Sequence, residues 1–328
     1  MPLTLEELES IQADEMADDV PIDLAKMSEW TAEQARLYFE SGGAVDPSAG
    51  GTSAAFTSGD SVDTGATAWL RCLAKKPDAT HRVLFFNWTG NRGGQGSAHS
   101  LMRPNWSTAM PDSEVHEVLL PGRGTRQKEP LYTRATDLVA ALASTLAPAL
   151  RGGKPYAFVG FSFGAVLAYE TAVQIAAREP GEGPALVCAV SAEGPAWPHR
   201  AGSVHTRGDE AFRSLLVEKK GTDIILRDPG LTKLYMPVIR ADLALEETYP
   251  VPPPGRRLGV PVLAFYGEEA GRDHMRTRVT SAAAELWLQA AAAASRVVPL
   301  PGVDWYILQD PAGTAAVQEA VGSFMRSL

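Results

Sequence analysis

Pro155-Tyr156-Ala157-Phe158-Val159-Gly160-Phe161-Ser162-Phe163-Gly164-Ala165-Val166-Leu167-Ala168-Tyr169-Glu170 reads as three elements in succession. Pro155 to Val159 is an unbroken apolar run, the pattern of a strand buried on both faces. Gly160-Phe161-Ser162-Phe163-Gly164 fits the G-x-S-x-G nucleophile elbow, a strained turn that lifts a serine hydroxyl above the edge of a sheet. The glycines two before and two after the serine relieve the clash between strand and helix. Ala165 to Glu170 then opens a helix. The pentapeptide alone is a weak signal; strand, elbow and helix in that order make it specific. Ser162 is therefore the candidate nucleophile.

Working outward, β-rich runs alternate with helical patterns. Strands are predicted at Ala68–Leu73, Arg82–Asn87, Val115–Leu120, Tyr156–Gly160, Leu186–Ser191, Pro261–Tyr266 and Arg296–Leu300, and helices at Arg134–Leu150, Gly164–Ala177, Ser281–Ala294 and Thr314–Met325. Continuous apolar strands separated by helices predict an α/β fold, a mostly parallel central sheet covered by helices on both faces. One connection breaks the rhythm: about 69 residues lie between Ser191 and Pro261, with helical patterns at Asp209–Lys220 and Leu231–Ala244. An insertion of that length predicts a helical lid over the site, at about 195–255.

The net charge of −9 over 328 residues belongs to one end of the chain. Residues 1–40 carry eleven acids and two bases, Lys26 and Arg36, so residues 41–328 hold 28 charges of each sign. The first forty residues read as an acidic, partly helical N-terminal extension, with Thr31 and Gln34 as a capping box. Residues 41–66, rich in Gly, Ser and Thr, read as a flexible linker. Residues 67–328 are then the catalytic-type domain. A neutral body without a basic stripe argues against nucleic acid. No apolar run is long enough to span a membrane, and the late first base argues against a leader peptide. Cys72 and Cys188, far apart in apolar stretches, read as two buried thiols of a cytoplasmic protein. No cofactor and no metal site is expected.

An acyl-transfer serine needs two backbone N–H groups aimed at the oxyanion. Phe163 supplies one at the helix start. The other is expected from the glycine-rich loop Phe86-Asn87-Trp88-Thr89-Gly90-Asn91-Arg92-Gly93-Gly94, at Thr89. Trp88, Phe161, Trp305 and Tyr306 are candidates to line a substrate channel, with core packing as the alternative.

Leu84–Gly94, then Leu119-Leu120-Pro121-Gly122-Arg123, then Gly160–Glu170 resemble the type II thioesterases of polyketide and nonribosomal peptide synthases. The stretch from Asp228-Pro229 through Pro237-Val238-Ile239-Arg240-Ala241-Asp242 to Glu247-Thr248-Tyr249 resembles that family's lid. The likeness runs from about Trp69 to the C-terminus. It implies an α/β-hydrolase fold and release of acyl groups from the phosphopantetheine thiol of an acyl carrier protein, through an acyl-serine. Carrier proteins are commonly acidic, so the extension would repel them at close range; its partner is unknown.

The resemblance breaks at the base. Where the family places histidine after the last strand, Leu300-Pro301-Gly302-Val303-Asp304-Trp305 carries Asp304, and no histidine follows His274. The family's acid position, three residues beyond Gly267, is Ala270; Glu269 or Asp273 serves if the loop is shifted. Three readings stay open. Asp304 and His274 have exchanged loops, leaving a working Ser162–His274–Asp304 set. Or Asp304 itself takes the serine proton, for which a carboxylate is a weak base unless burial raises its pKa. Or turnover is lost and the protein binds acyl chains or carriers. Of the other histidines, His99 follows the presumed oxyanion loop, while His81, His116, His199 and His205 read as surface or strand-flanking.

Overall fold

The structure is a computed structural model that describes residues 68–90, 106, 109–198, 202–217, 226, 229–269, 279–292, 294–308 and 310–328. The acidic extension, the linker, Ala270, Asp273, His274, His99 and His199 lie outside the described residues.

The strands are β1 (Leu70–Ala74), β2 (His81–Phe86), β3 (Ser113–Val118), β4 (Tyr156–Phe161), β5 (Leu186–Val190), β6 (Val262–Gly267) and β7 (Arg296–Leu300). The helices are α1 (Ala135–Leu150), α2 (Phe163–Arg178), α3 (Asp209–Val217), α4 (Pro229–Glu247), α5 (Ser281–Gln289) and α6 (Pro311–Arg326). Among the described residues the seven strands form one sheet in the order β1-β3-β2-β4-β5-β6-β7. β1 runs antiparallel to β3 and every other pair is parallel. This is the α/β-hydrolase architecture expected from the sequence.

The alternation of side chains along β4 shows why the run had to be apolar throughout. Tyr156 and Phe158 enter a core built with α1, α2 and α5, while Ala157, Val159 and Phe161 enter a second core built with α6. A strand with both faces covered buries any polar residue that it carries, at a cost unless the residue finds a partner. The long insertion contributes α3 and α4, which share a smaller core of Phe212, Leu216, Leu226, Tyr235, Met236, Ile239 and Leu243.

Some boundaries differ from the sequence reading. The helix expected to reach Ala294 ends at Gln289, because the backbone at 290–292 pairs instead with Leu258: Leu258 donates to Ala290 and Ala292 donates to Leu258. An alanine run has high helix propensity, and here tertiary pairing overrides it. His116 is not a surface residue; it sits in β3, 1% exposed, opposite Cys72. Cys72, on the outer strand β1, is half-buried rather than buried, whereas Cys188 is fully enclosed in β5.

Candidate functional site

β4 ends at Phe161 and α2 begins at Phe163, so Ser162 alone makes the turn, with φ 55 and ψ −133. Its N–H donates to Val190 O (2.9 Å) and its C=O accepts from Ala165 N–H (2.9 Å), which fixes the elbow against β5 and α2. The flanking glycines are sterically required. A Cβ on Gly160 would lie 2.3 Å from Ala165 Cα, and one on Gly164 would lie 2.3 Å from Phe86 O and 2.4 Å from Asn87 O. Gly164 thus lets α2 approach the loop after β2, the loop expected to share the oxyanion site. Phe163, at the N-terminus of α2, is 4% exposed, and its ring meets Tyr249 edge-on at 6.1 Å.

The described part of the loop after β2, residues 87–90, is anchored at Asn87 and again at Thr89 and Gly90. At its start, Asn87 Nδ2 donates to Glu117 Oε1 (2.7 Å). Glu117 is wholly buried; burial pushes its carboxyl up, against the pull of Arg71, with which it forms an ion pair. Further on, Thr89 Oγ1 donates to Glu246 Oε2 (2.9 Å) and Gly90 N–H donates to Asp242 Oδ2 (2.8 Å). Both acceptors belong to α4. Asp242, 3% exposed, also takes a bidentate pair from Arg123, through Nη2 to Oδ1 (2.8 Å) and Nη1 to Oδ2 (2.9 Å). Arg123, Asp242 and Glu246 carried no role in the sequence reading. An acid inside the apolar stretch of α4 was the signal available, and its partners are distant in sequence.

Asp304 follows β7 in a loop packed on the ends of the neighbouring strands. A Cβ on Gly267, at the end of β6, would lie 2.1 Å from Asp304 O. Ser191, at φ 51 just after β5, donates through Oγ to Trp305 O (2.6 Å), and Trp305 Nε1 donates back to Ser191 O (3.1 Å). Asp304 Oδ1 accepts from the N–H of Tyr306 (2.7 Å), which orients the carboxylate. The loops after β6 and β7 run together: Glu268 N–H donates to Leu300 O (3.2 Å) and Glu269 N–H to Val303 O (3.1 Å). The side chain of Glu269 is exposed.

The four expected channel aromatics form a continuous edge-to-face row. Trp88 meets Phe161 at 5.7 Å, Phe161 meets Trp305 at 4.7 Å, and Trp305 meets Tyr306 at 5.0 Å. The row joins the loop after β2, the elbow and the Asp304 loop. Phe161 is a core residue, while Trp88, Trp305 and Tyr306 are partly exposed.

Of the other histidines, His205 pairs with Glu247 on α4, and His81 accompanies Thr80 at the start of β2. Among the described residues one cluster brings possible metal-ligand atoms within 4.8 Å of one another: Cys72, Glu114 and His116. It lies at the β1–β3 edge, with β2 between it and the elbow strand, and Arg82 Nε stands 4.0 Å from the Glu114 carboxylate. Burial pushes the Cys188 thiol well up, which leaves it unreactive.

A family model described as a thioesterase domain matches residues 94–324. The medium-chain S-acyl fatty acid synthase thioesterase of Homo sapiens is 29% identical over 259 residues, covering 77% of this chain and 90% of that protein. The probable cadicidin biosynthesis thioesterase of Streptomyces griseus is 32% identical over 209 residues, 63% of this chain and 55% of that protein. Among solved structures, the RedJ thioesterase from the prodiginine biosynthetic pathway in Streptomyces coelicolor superposes with a TM-score of 0.60 at 26% identity, covering 75% of this chain and 91% of that one.

Proposed function

The chain belongs to the thioesterase domain family, hydrolases whose members serve polyketide, nonribosomal peptide and fatty-acid synthesis, and on that premise we propose that it releases acyl groups from the phosphopantetheine thiol of an acyl carrier protein through Ser162. The observation that carries this reading is the strained backbone of Ser162 at the β4–α2 junction. In the proposed reaction Ser162 Oγ attacks the thioester carbonyl. The negative charge that develops on the carbonyl oxygen is met by the N–H groups of Phe163 and Thr89. The carbon–sulfur bond breaks, the thiol leaves with a proton, and water then hydrolyses the acyl-serine.

For the base, the reading is an exchange of loops: His274 takes the serine proton and Asp304 orients the imidazole, with Glu269 and Asp273 as the alternative acids. Two features support it. The hydrogen bonds between the loops after β6 and β7 bring their backbones side by side at one end of the sheet. Asp304 is held by Tyr306 N–H in a fixed orientation, as suits a group that positions a base. The row from Trp88 to Tyr306 would line the acyl or pantetheine path. A second reading, an acyl- or carrier-binding protein without turnover, is favoured by one observation, the aspartate at position 304.

Hydrolysis of an acyl N-acetylcysteamine thioester separates them. The expected result is turnover by the wild type, with Ser162→Ala and His274→Ala each losing about 10³-fold or more. Equal rates for wild type and Ser162→Ala would remove the nucleophile assignment. An unaffected His274→Ala would end the loop exchange, and a large gain in Asp304→His would show a scaffold that lacks only its base.

A further inference from the structure

The Arg123–Asp242 pair is buried, and an ion pair drawn out of water contributes little net stability unless its geometry is well satisfied. Here it is satisfied by a third donor, the N–H of Gly90, which shares Asp242 Oδ2 with Arg123. Gly90 has φ 85, a left-handed backbone, and it immediately follows Thr89. Thr89 is thereby held on both sides: its hydroxyl by Glu246, and the peptide that follows it by Asp242. A Cβ on Gly90 would come within 3.2 Å of Ile239 Cγ1. Ile239, Asp242 and Glu246 are spaced by three and four residues, one face of α4. The described part of the loop after β2 therefore rests against a single face of α4, and Arg123 pairs with the same face at Asp242.

We infer that Asp242 is a positioning residue, through which α4 holds the loop after β2 in the conformation that presents the Thr89 N–H to the developing oxyanion. The oxyanion site is then complete only when α4 is seated, so lid placement and catalytic competence are one equilibrium. This rests on the reading that Ser162 attacks a thioester.

Two variants test it. Asp242→Asn keeps the shape but takes the Asp242 charge away from the buried Arg123, so part of its effect is on folding. The double variant Arg123→Met with Asp242→Leu removes both charges and retains apolar volume, an exchange that buried ion pairs commonly tolerate. Each is measured for kcat and KM on an acyl N-acetylcysteamine thioester, for thermal midpoint, and for amide hydrogen exchange at Gly90. The expected result for the double variant is a near-native midpoint, exchange at Gly90 at least about tenfold faster, and kcat lower by about 10²-fold with KM within about threefold, the signature of a lost oxyanion donor. A double variant with native midpoint and native kcat overturns the inference, because the loop is then held for turnover without the pair. Unchanged exchange at Gly90 overturns it as well, since the loop then holds itself. A wild type without turnover overturns the hydrolytic reading instead; the clamp still stands or falls on the exchange rate.

Discussion

Ser162 and Ser191 are, among the described residues, the two non-glycine residues with positive φ, and each such backbone costs about 1–3 kcal/mol. They stand at the ends of adjacent strands, β4 and β5, and the surroundings fix both. Ser162 is wedged by the close approach that Gly160 and Gly164 permit, and Ser191 by its reciprocal hydrogen bonds with Trp305. The glycines can be tested directly. Gly164→Ala puts a methyl group against the carbonyls of Phe86 and Asn87, both backbone atoms that cannot rotate away. It is expected to cost about 2–3 kcal/mol in a urea titration and to lower thioester turnover, since the atoms it displaces begin the loop proposed to carry an oxyanion donor. A stable Gly164→Ala protein with wild-type rates would show that α2 and the loop need not meet so closely.

At the scale of elements, β3 is the least ordinary strand, because it places charged and titratable groups in a buried position. His116 Nε2 lies 2.9 Å from Glu114 Oε2, and this hydrogen bond, aided by Arg82 and the Lys76 N–H, holds the Glu114 carboxyl at about 2, below its ordinary 4.5, despite partial burial. A folded-state value below the unfolded one means that the stabilisation is present above pH 4.5 and is lost as pH falls toward about 2. Glu114→Gln should therefore lower the urea midpoint at pH 6 and flatten its decline between pH 4.5 and 2.5. Parallel declines in wild type and variant would show that Glu114 is not the group responsible. The insertion between β5 and β6 illustrates a different division of labour. α3 and α4 have a core of their own, yet the polar face of α4 is joined to the β2 loop and to Arg123. The insertion thus has a core of its own, is joined to the main core through Leu245 and Tyr249, and reaches the β2 loop through hydrogen bonds.

At the scale of the whole molecule, both cores of the sheet, among the described residues, are built from residues between Trp69 and Met325, while the net charge of −9 lies in residues 1–40. A chain shortened to residues 67–328 should accordingly unfold in one transition within about 3 °C of the full-length protein, a difference under about 1 kcal/mol. Loss of cooperative unfolding would assign residues 1–66 a structural part. The sequence by itself determined the α/β class, the succession of strands and helices along the chain and the elbow at Ser162, because those follow from local patterns: apolar runs, helical periodicity, and glycines spaced around a serine. It also exposed Asp304 where the resemblance called for histidine. Only the tertiary structure decided that the alanine run after Gln289 leaves the helix to pair with Leu258, that His116 is buried, and that Asp242 joins Arg123 to Gly90 across 119 and 152 residues of chain. Those outcomes depend on which groups meet when distant segments pack, and a buried polar atom takes its partner from wherever the fold brings one.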